Sequence, residues 1–247
     1  MKTFSTFLLI LVLGLPALAS EADFQAGMQA AAAKDWAAAL PRLEAAVAAD
    51  PDSLRNESEY RRTVIAAGAY ERALDFYQQL ATAHPDSWVV AINYGYAYVD
   101  KIPAAGSITQ VILANSALGW FTKSLERKST WLGLFTRGNS YLYWPKVFGK
   151  TALGIADLEK AVAMSKTEPP CTCHVRAWVA LGDGYWKLDQ LDKARAAWNE
   201  GLKLFPGNAP LTGRLAKQGD ELKEMIEADS DPNKRVDTDL RPLWEKR

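Results

Sequence analysis

The chain has 247 residues, 49% hydrophobic and 23% charged, with 29 Lys+Arg against 29 Asp+Glu. That is the balance of a folded soluble chain rather than a disordered one, and a neutral total argues against a dedicated nucleic-acid binder, which needs surplus cations to meet phosphates. Two His and two Cys leave little material for a His/Cys metal centre.

In chain order, the first element is a leader. Met1-Lys2 precedes an apolar run from Phe7 to Leu15, and Ala17-Leu18-Ala19 supplies the small-x-small pattern of a signal-peptidase site. The run is shorter than the roughly 20 apolar residues of a membrane span. Residues 1–19 therefore read as a signal peptide and Ser20 as the first mature residue. The Lys-poor, Ala-rich leader looks bacterial, so the expected location is the periplasm, with no stable membrane insertion after cleavage.

Beyond the leader the chain repeats itself. Trp36, Ala39, Leu43 and Pro51 return 34 residues later as Tyr70, Ala73, Tyr77 and Pro85. The middle is less regular, with Ala91, Tyr94, Gly95 and Tyr98 followed by Ala117 and Phe121, then Leu134, Gly138 and Tyr141 followed by Gly154, Leu158 and Ala161. Trp178, Leu181, Gly182 and Tyr185 stand at i, i+3, i+4 and i+7, one helix face, and Ala194, Trp198 and Gly201 mark a partner helix. Residues 210–228, with Leu211, Leu215, Leu222, Met225 and Ile226 among charges, read as one capping helix. Residues 229–247 read as a polar, mobile tail.

The 34-residue period and the run from Trp178 to Pro206 resemble the tetratricopeptide repeat, a helix–turn–helix unit. The resemblance implies an all-α, right-handed superhelical array of about five units near 20–53, 54–87, 88–129, 130–166 and 175–208. Two departures stand out. Pro41 lies inside an expected helix and predicts a kink or a late start. Arg61 occupies a position where the family has Gly, which predicts a splayed helix pair.

In such arrays the first helix of each pair lines a groove. Carried over, the groove-facing residues are Arg55, Ser58 and Arg62, then Asn93 and Tyr96, then Thr136, Asn139 and Tyr143, then Arg176, Asp183 and Trp186. This mixture of amides, rings and charges suits an extended peptide. The Lys and Arg of the carboxylate clamp found in chaperone-binding members are missing. Two extensions lengthen the turns of the middle units, 100–110 and 144–150. Trp144 and Phe148 in the second are candidate partner anchors, and the cluster of Tyr94, Tyr96, Tyr98, Tyr141, Tyr143 and Trp144 is a candidate pocket.

Cys171-Thr172-Cys173-His174 falls between the fourth and fifth units. In an exported chain a local disulfide staple or plain free thiols is the leading reading, with a redox role for a strained disulfide and a copper or zinc site using Cys171, Cys173 and His174 as the alternatives. No nucleophile elbow, His-Glu-x-x-His, phosphate loop or dinucleotide fingerprint occurs. The expectation is a non-catalytic scaffold without a cofactor that binds a protein or peptide partner, with assembly or maturation of an envelope or exported complex as the process it would serve. The alternatives are a small-molecule-binding accessory of a solute transporter and a thiol- or metal-handling protein.

Overall fold

The structure, a computed structural model, describes residues 15–169, 171–231 and 234–244, with backbone only for 15–19. The leader expectation falls largely on residues 1–14, outside the described residues. Among the described residues the fold is all-α, and no helix is long and apolar enough to cross a membrane.

Five antiparallel hairpins follow one another: α1 (Leu15–Ala32) with α2 (Trp36–Ala49), α3 (Leu54–Ala67) with α4 (Tyr70–Ala83), α5 (Trp88–Lys101) with α6 (Ser107–Arg127), α7 (Trp131–Leu142) with α8 (Lys150–Ser165), and α9 (Val175–Lys187) with α10 (Leu191–Leu204). Helix starts are set locally. The side chains of Asp35, Ser53, Ser87 and Thr130 each accept from a backbone N–H three residues on, capping α2, α3, α5 and α7. Such a cap is worth about 1 kcal/mol, and Ser53 and Ser87 sit one 34-residue period apart.

Two expectations about helices need correction. Pro41 neither delays nor interrupts α2, which runs from Trp36 through it. Its ring is exposed, so the carbonyl that loses its donor is left on the solvent side. The cap is two helices rather than one, α11 (Ala209–Ala216) and α12 (Gly219–Asp229), parted at the extended residues Lys217 and Gln218.

Within hairpins the small residues set the packing distance. A Cβ on Gly27 would lie 2.7 Å from Leu43 Cγ, on Gly95 2.4 Å from Phe121 Cε1, and on Gly182 2.1 Å from Trp198 Nε1. Position 61 is one period from Gly27 and from Gly95 and carries Arg instead. There the hairpin is loose: α3 and α4 touch far less than the members of any other pair, and α3 packs more against α5.

The core has two parts that meet at α5. One gathers Leu43, Tyr60, Tyr77, Val90 and Tyr94, and the other Ile92, Tyr96, Phe121, Leu158, Trp178 and Trp198. Because α5 feeds both, it is buried on nearly every side.

Candidate functional site

The first helices of the hairpins meet side by side, α3 with α5 and α7 with α9. Their shared face carries the charged and polar side chains that no hairpin needs for its own packing. It falls into two regions.

In the first region Arg61 is the centre. Its side chain is 1% exposed. Nε donates to Asn93 Oδ1 at 2.9 Å, Nη1 to Asp100 Oδ2 at 2.8 Å, and Nη2 to the backbone carbonyl of Thr238 at 3.0 Å. The guanidinium lies 4.6 Å from the Tyr96 ring centroid. The Thr238 hydroxyl donates to the other Asp100 oxygen at 2.6 Å. A buried ion pair of this kind is tolerable only when every lone pair and proton is met, and here the two final partners come from the tail.

The tail is therefore a correction to the sequence expectation. Residues 234–244 lie along the first-helix face. Arg235 donates to the Tyr70 hydroxyl at 2.8 Å, Asp237 pairs with Arg176, and Thr238 and Leu240 are 7% and 4% exposed. Leu240 belongs to the second core, and Leu243 and Trp244 pack against it. Arg241 bonds Asp239 and pulls that carboxyl down to about 2. Glu57, close to Arg61, is fully buried, and neither carboxyl oxygen has a hydrogen-bond partner among the described residues. Burial, only partly offset by the Arg61 charge, holds its pKa well above the usual carboxylate range.

In the second region the face is open. A cleft of about 1040 Å³ lies between α7, α9, the cap helices and tail residues 234–237. Asn139 and Tyr143 from α7 and Arg176, Asp183 and Trp186 from α9 line it. Asp183 is clasped by both ends of the Arg214 fork, at 2.6 and 2.7 Å, and Arg214 also reaches Asp229 at 2.8 Å. The cleft thus offers an amide, two part-buried aromatic rings and balanced charge. Lys187 donates to the carbonyls of Leu142 and Trp144, tying α9 to the second extension, and burial lowers its pKa.

The expected groove residues divide accordingly. Asn139, Tyr143, Arg176, Asp183 and Trp186 come together in the cleft. Asn93 and Tyr96 do not face a free groove. Asn93 is fully buried against Arg61, and Tyr96 shares a 2.5 Å hydrogen bond with Thr136. Ser58 is buried, Arg55 pairs with Glu21, and Arg62 pairs with Glu59 at 2.6 Å. The aromatic pocket expected in the third and fourth units is a packing cluster in part, since Tyr94 stacks on Tyr77 and Tyr98 at 5.9 and 5.1 Å. The cleft lies one unit further along.

The extensions are partly helical, each with a short 3-10 turn, and the first also lengthens α6 at its N-terminus. They bring exposed apolar side chains to the surface: Ile108 is 82% exposed and Phe148 61%. Trp144 lies half-buried under the Lys150 ammonium, 3.3 Å from its ring. Cys171 and Cys173 form a disulfide, so the sulfurs are not thiolates. His174 lies with the two sulfurs inside a 4.8 Å cluster, which would offer three donors only after reduction. His174 itself is buried, packs on Trp131 with ring centroids 4.8 Å apart, and has its pKa lowered by that burial.

Arg61, Asp100, Arg214 and Thr238 are the site residues that sequence reasoning did not assign. The signal for the first was present, a long cation at a position requiring a hydrogen atom.

Comparison with known proteins agrees with this architecture. Family models described as tetratricopeptide repeat match residues 30–88 and 175–208. A thermophilic protein of that kind from Thermus thermophilus superposes with TM-score 0.56 at 22% identity, covering 80% of this chain and 97% of its own. Another, from Parabacteroides merdae, gives 0.57 at 16% identity, covering 87% and 76%. A crystal structure of MamA gives 0.52 at 14% identity, covering 75% and 91%. At these identities the likeness is one of fold. No curated protein matches the sequence.

Proposed function

This chain belongs to the tetratricopeptide-repeat family, and from that premise we propose that it is a non-catalytic scaffold that recruits a protein or peptide partner outside the cytoplasm. The observation that carries the proposal is the open half of the first-helix face. There Asn139, Tyr143 and Trp186 line a cleft whose charges are already balanced, as Asp183 by Arg214 and Arg176 by Asp237. An amide that both donates and accepts, set between aromatic faces, suits an extended backbone and one or two inserted side chains. Phe148 and the half-buried Trp144 extend the contact surface at the rim, and the leader pattern supports export to the periplasm. Assembly or maturation of an envelope or exported complex is the process such a scaffold serves.

The test is co-purification from an envelope fraction with the triple variant Asn139→Ala/Tyr143→Ala/Trp186→Ala. A partner retained by the native chain should be lost, with the thermal melt little changed. Retention by a folded triple variant rejects the cleft. Mass spectrometry of the exported chain should give Ser20 as the first residue. The size of the cleft favours a second reading, a small-molecule accessory, since pockets of about 300–1,000 Å³ hold small ligands. That reading predicts a thermal shift with a metabolite and no retained protein.

A further inference from the structure

We propose that the Arg61–Asn93–Asp100 cluster is a peptide-recognition subsite for an acid–Thr–x–Leu segment, and that the chain's own Asp237-Thr238-Asp239-Leu240 occupies it as a tethered competitor of such a segment on a partner. The inference rests on the scaffold reading above and names what one part of the face selects.

The subsite is built from three side chains, none more than 3% exposed, that cannot satisfy one another completely. Arg61 spends Nε on Asn93 and Nη1 on Asp100, which leaves Nη2 for a carbonyl. Asp100 spends one oxygen on Arg61 and leaves the other for a hydroxyl donor. One residue must supply both the carbonyl and the hydroxyl, which selects Thr or Ser over every residue without a hydroxyl. Arg176 reads the preceding acid through Asp237. Two residues after the hydroxyl, Leu240 enters the core. Thr238 and Leu240, two residues apart, both enter the protein, the spacing at which a non-helical ligand presents one side. An unrelated surface segment would leave Asp100 and Arg61 buried and half-paired, which is costly, so the subsite discriminates by what it would strand.

A tethered ligand competes at a millimolar-range effective concentration when its linker is short. A partner segment must therefore match the same chemistry and add contacts, for which the adjacent cleft is the available surface.

The experiment uses the full chain with a protease recognition sequence replacing Asp231-Pro232-Asn233, leaving every contact above intact. A fluorescent peptide of residues 234–244 is titrated into uncut and cut protein. Cutting should strengthen binding at least ten-fold, and a peptide with Thr238→Val should bind the cut protein at least ten-fold more weakly than the native peptide. Equal binding before and after cutting overturns the proposal, as does equal binding of the two peptides. In the uncut full chain, excess native peptide should speed protease cleavage within the displaced residues 234–244 while the Thr238→Val peptide does not; an unchanged cleavage rate also overturns it. A dimer that forms on dilution-sensitive exchange of tails, with no response to peptide, assigns the segment to a second copy and overturns the partner reading. Loss of the tail effect with an intact envelope partner on the Asn139–Trp186 cleft would leave the scaffold proposal standing.

Discussion

The second and fifth hairpins are built on one plan, and one of their differences decides how each packs. In the fifth, Gly182 lets α9 meet Trp198 of α10 so closely that a methyl group would lie 2.1 Å from the indole nitrogen. In the second, Arg61 stands at the equivalent place, the α3 and α4 backbones approach far less and meet through rings such as Tyr60 and Tyr77, and the long side chain turns away to Asn93 and Asp100. The same repeat position serves packing in one unit and recognition in the other. A repeat array can create a binding position by giving up hairpin contact, provided the new polar group is fully satisfied.

Substitutions should separate the two roles. Arg61→Ala has the largest expected effect, because it strands buried Asp100 and Asn93; breaking a buried pair costs about 3–5 kcal/mol, read by urea unfolding at pH 7. Arg61→Leu/Asp100→Leu should recover most of that loss, since apolar replacement of a buried pair is often neutral. Limited proteolysis within residues 234–244 should nonetheless become fast. Protection kept in the double variant would mean that the tail is held elsewhere. Gly182→Ala should cost about 3 kcal/mol through overpacking against Trp198, in the same urea assay, with proteolysis of residues 234–244 unchanged.

Glu57 gives a smaller effect with a defined sign. Its folded-state pKa lies above the unfolded value of 4.5, so the folded state holds an extra proton above that pH. Stability should then fall as pH rises from about 4.5 toward the folded value. Glu57→Gln should flatten that slope and stabilise the chain by about 1–2 kcal/mol at pH 7.5, with little gain at pH 4. Equal slopes in the two chains would show that Glu57 is not carried neutral. Smallest of all, Ile108→Ser and Phe148→Ser should change stability by less than about 0.5 kcal/mol, because both side chains are already exposed.

Much of the fold is legible because it is periodic. Trp36 and Tyr70 open the second helices of the first two hairpins 34 residues apart, and the glycines at 95, 138 and 182 mark where helices touch. Pro41 misleads about where α2 starts because the carbonyl deprived of its donor, that of exposed Ala37, can bond water instead. The open half of the face follows from the repeat pattern, which brings Asn139, Tyr143, Asp183 and Trp186 together. The occupied half does not, because its ligand is aperiodic: nothing in Arg235-Val236-Asp237-Thr238 announces a docking register. The traces that existed were Arg61 in a glycine position and Leu240, Leu243 and Trp244 in a segment otherwise read as polar.

A stack of hairpins ordinarily behaves as a line in which each unit feels only its neighbours, and its ends fray independently. Here the bond from Arg61 to the Thr238 carbonyl spans 177 residues and joins the second unit to the terminus, turning the line into a loop. Loosening near either end is thereby transmitted to the other. The closed form should melt in a single cooperative transition, and cutting between residues 231 and 233 should split that melt into separate steps.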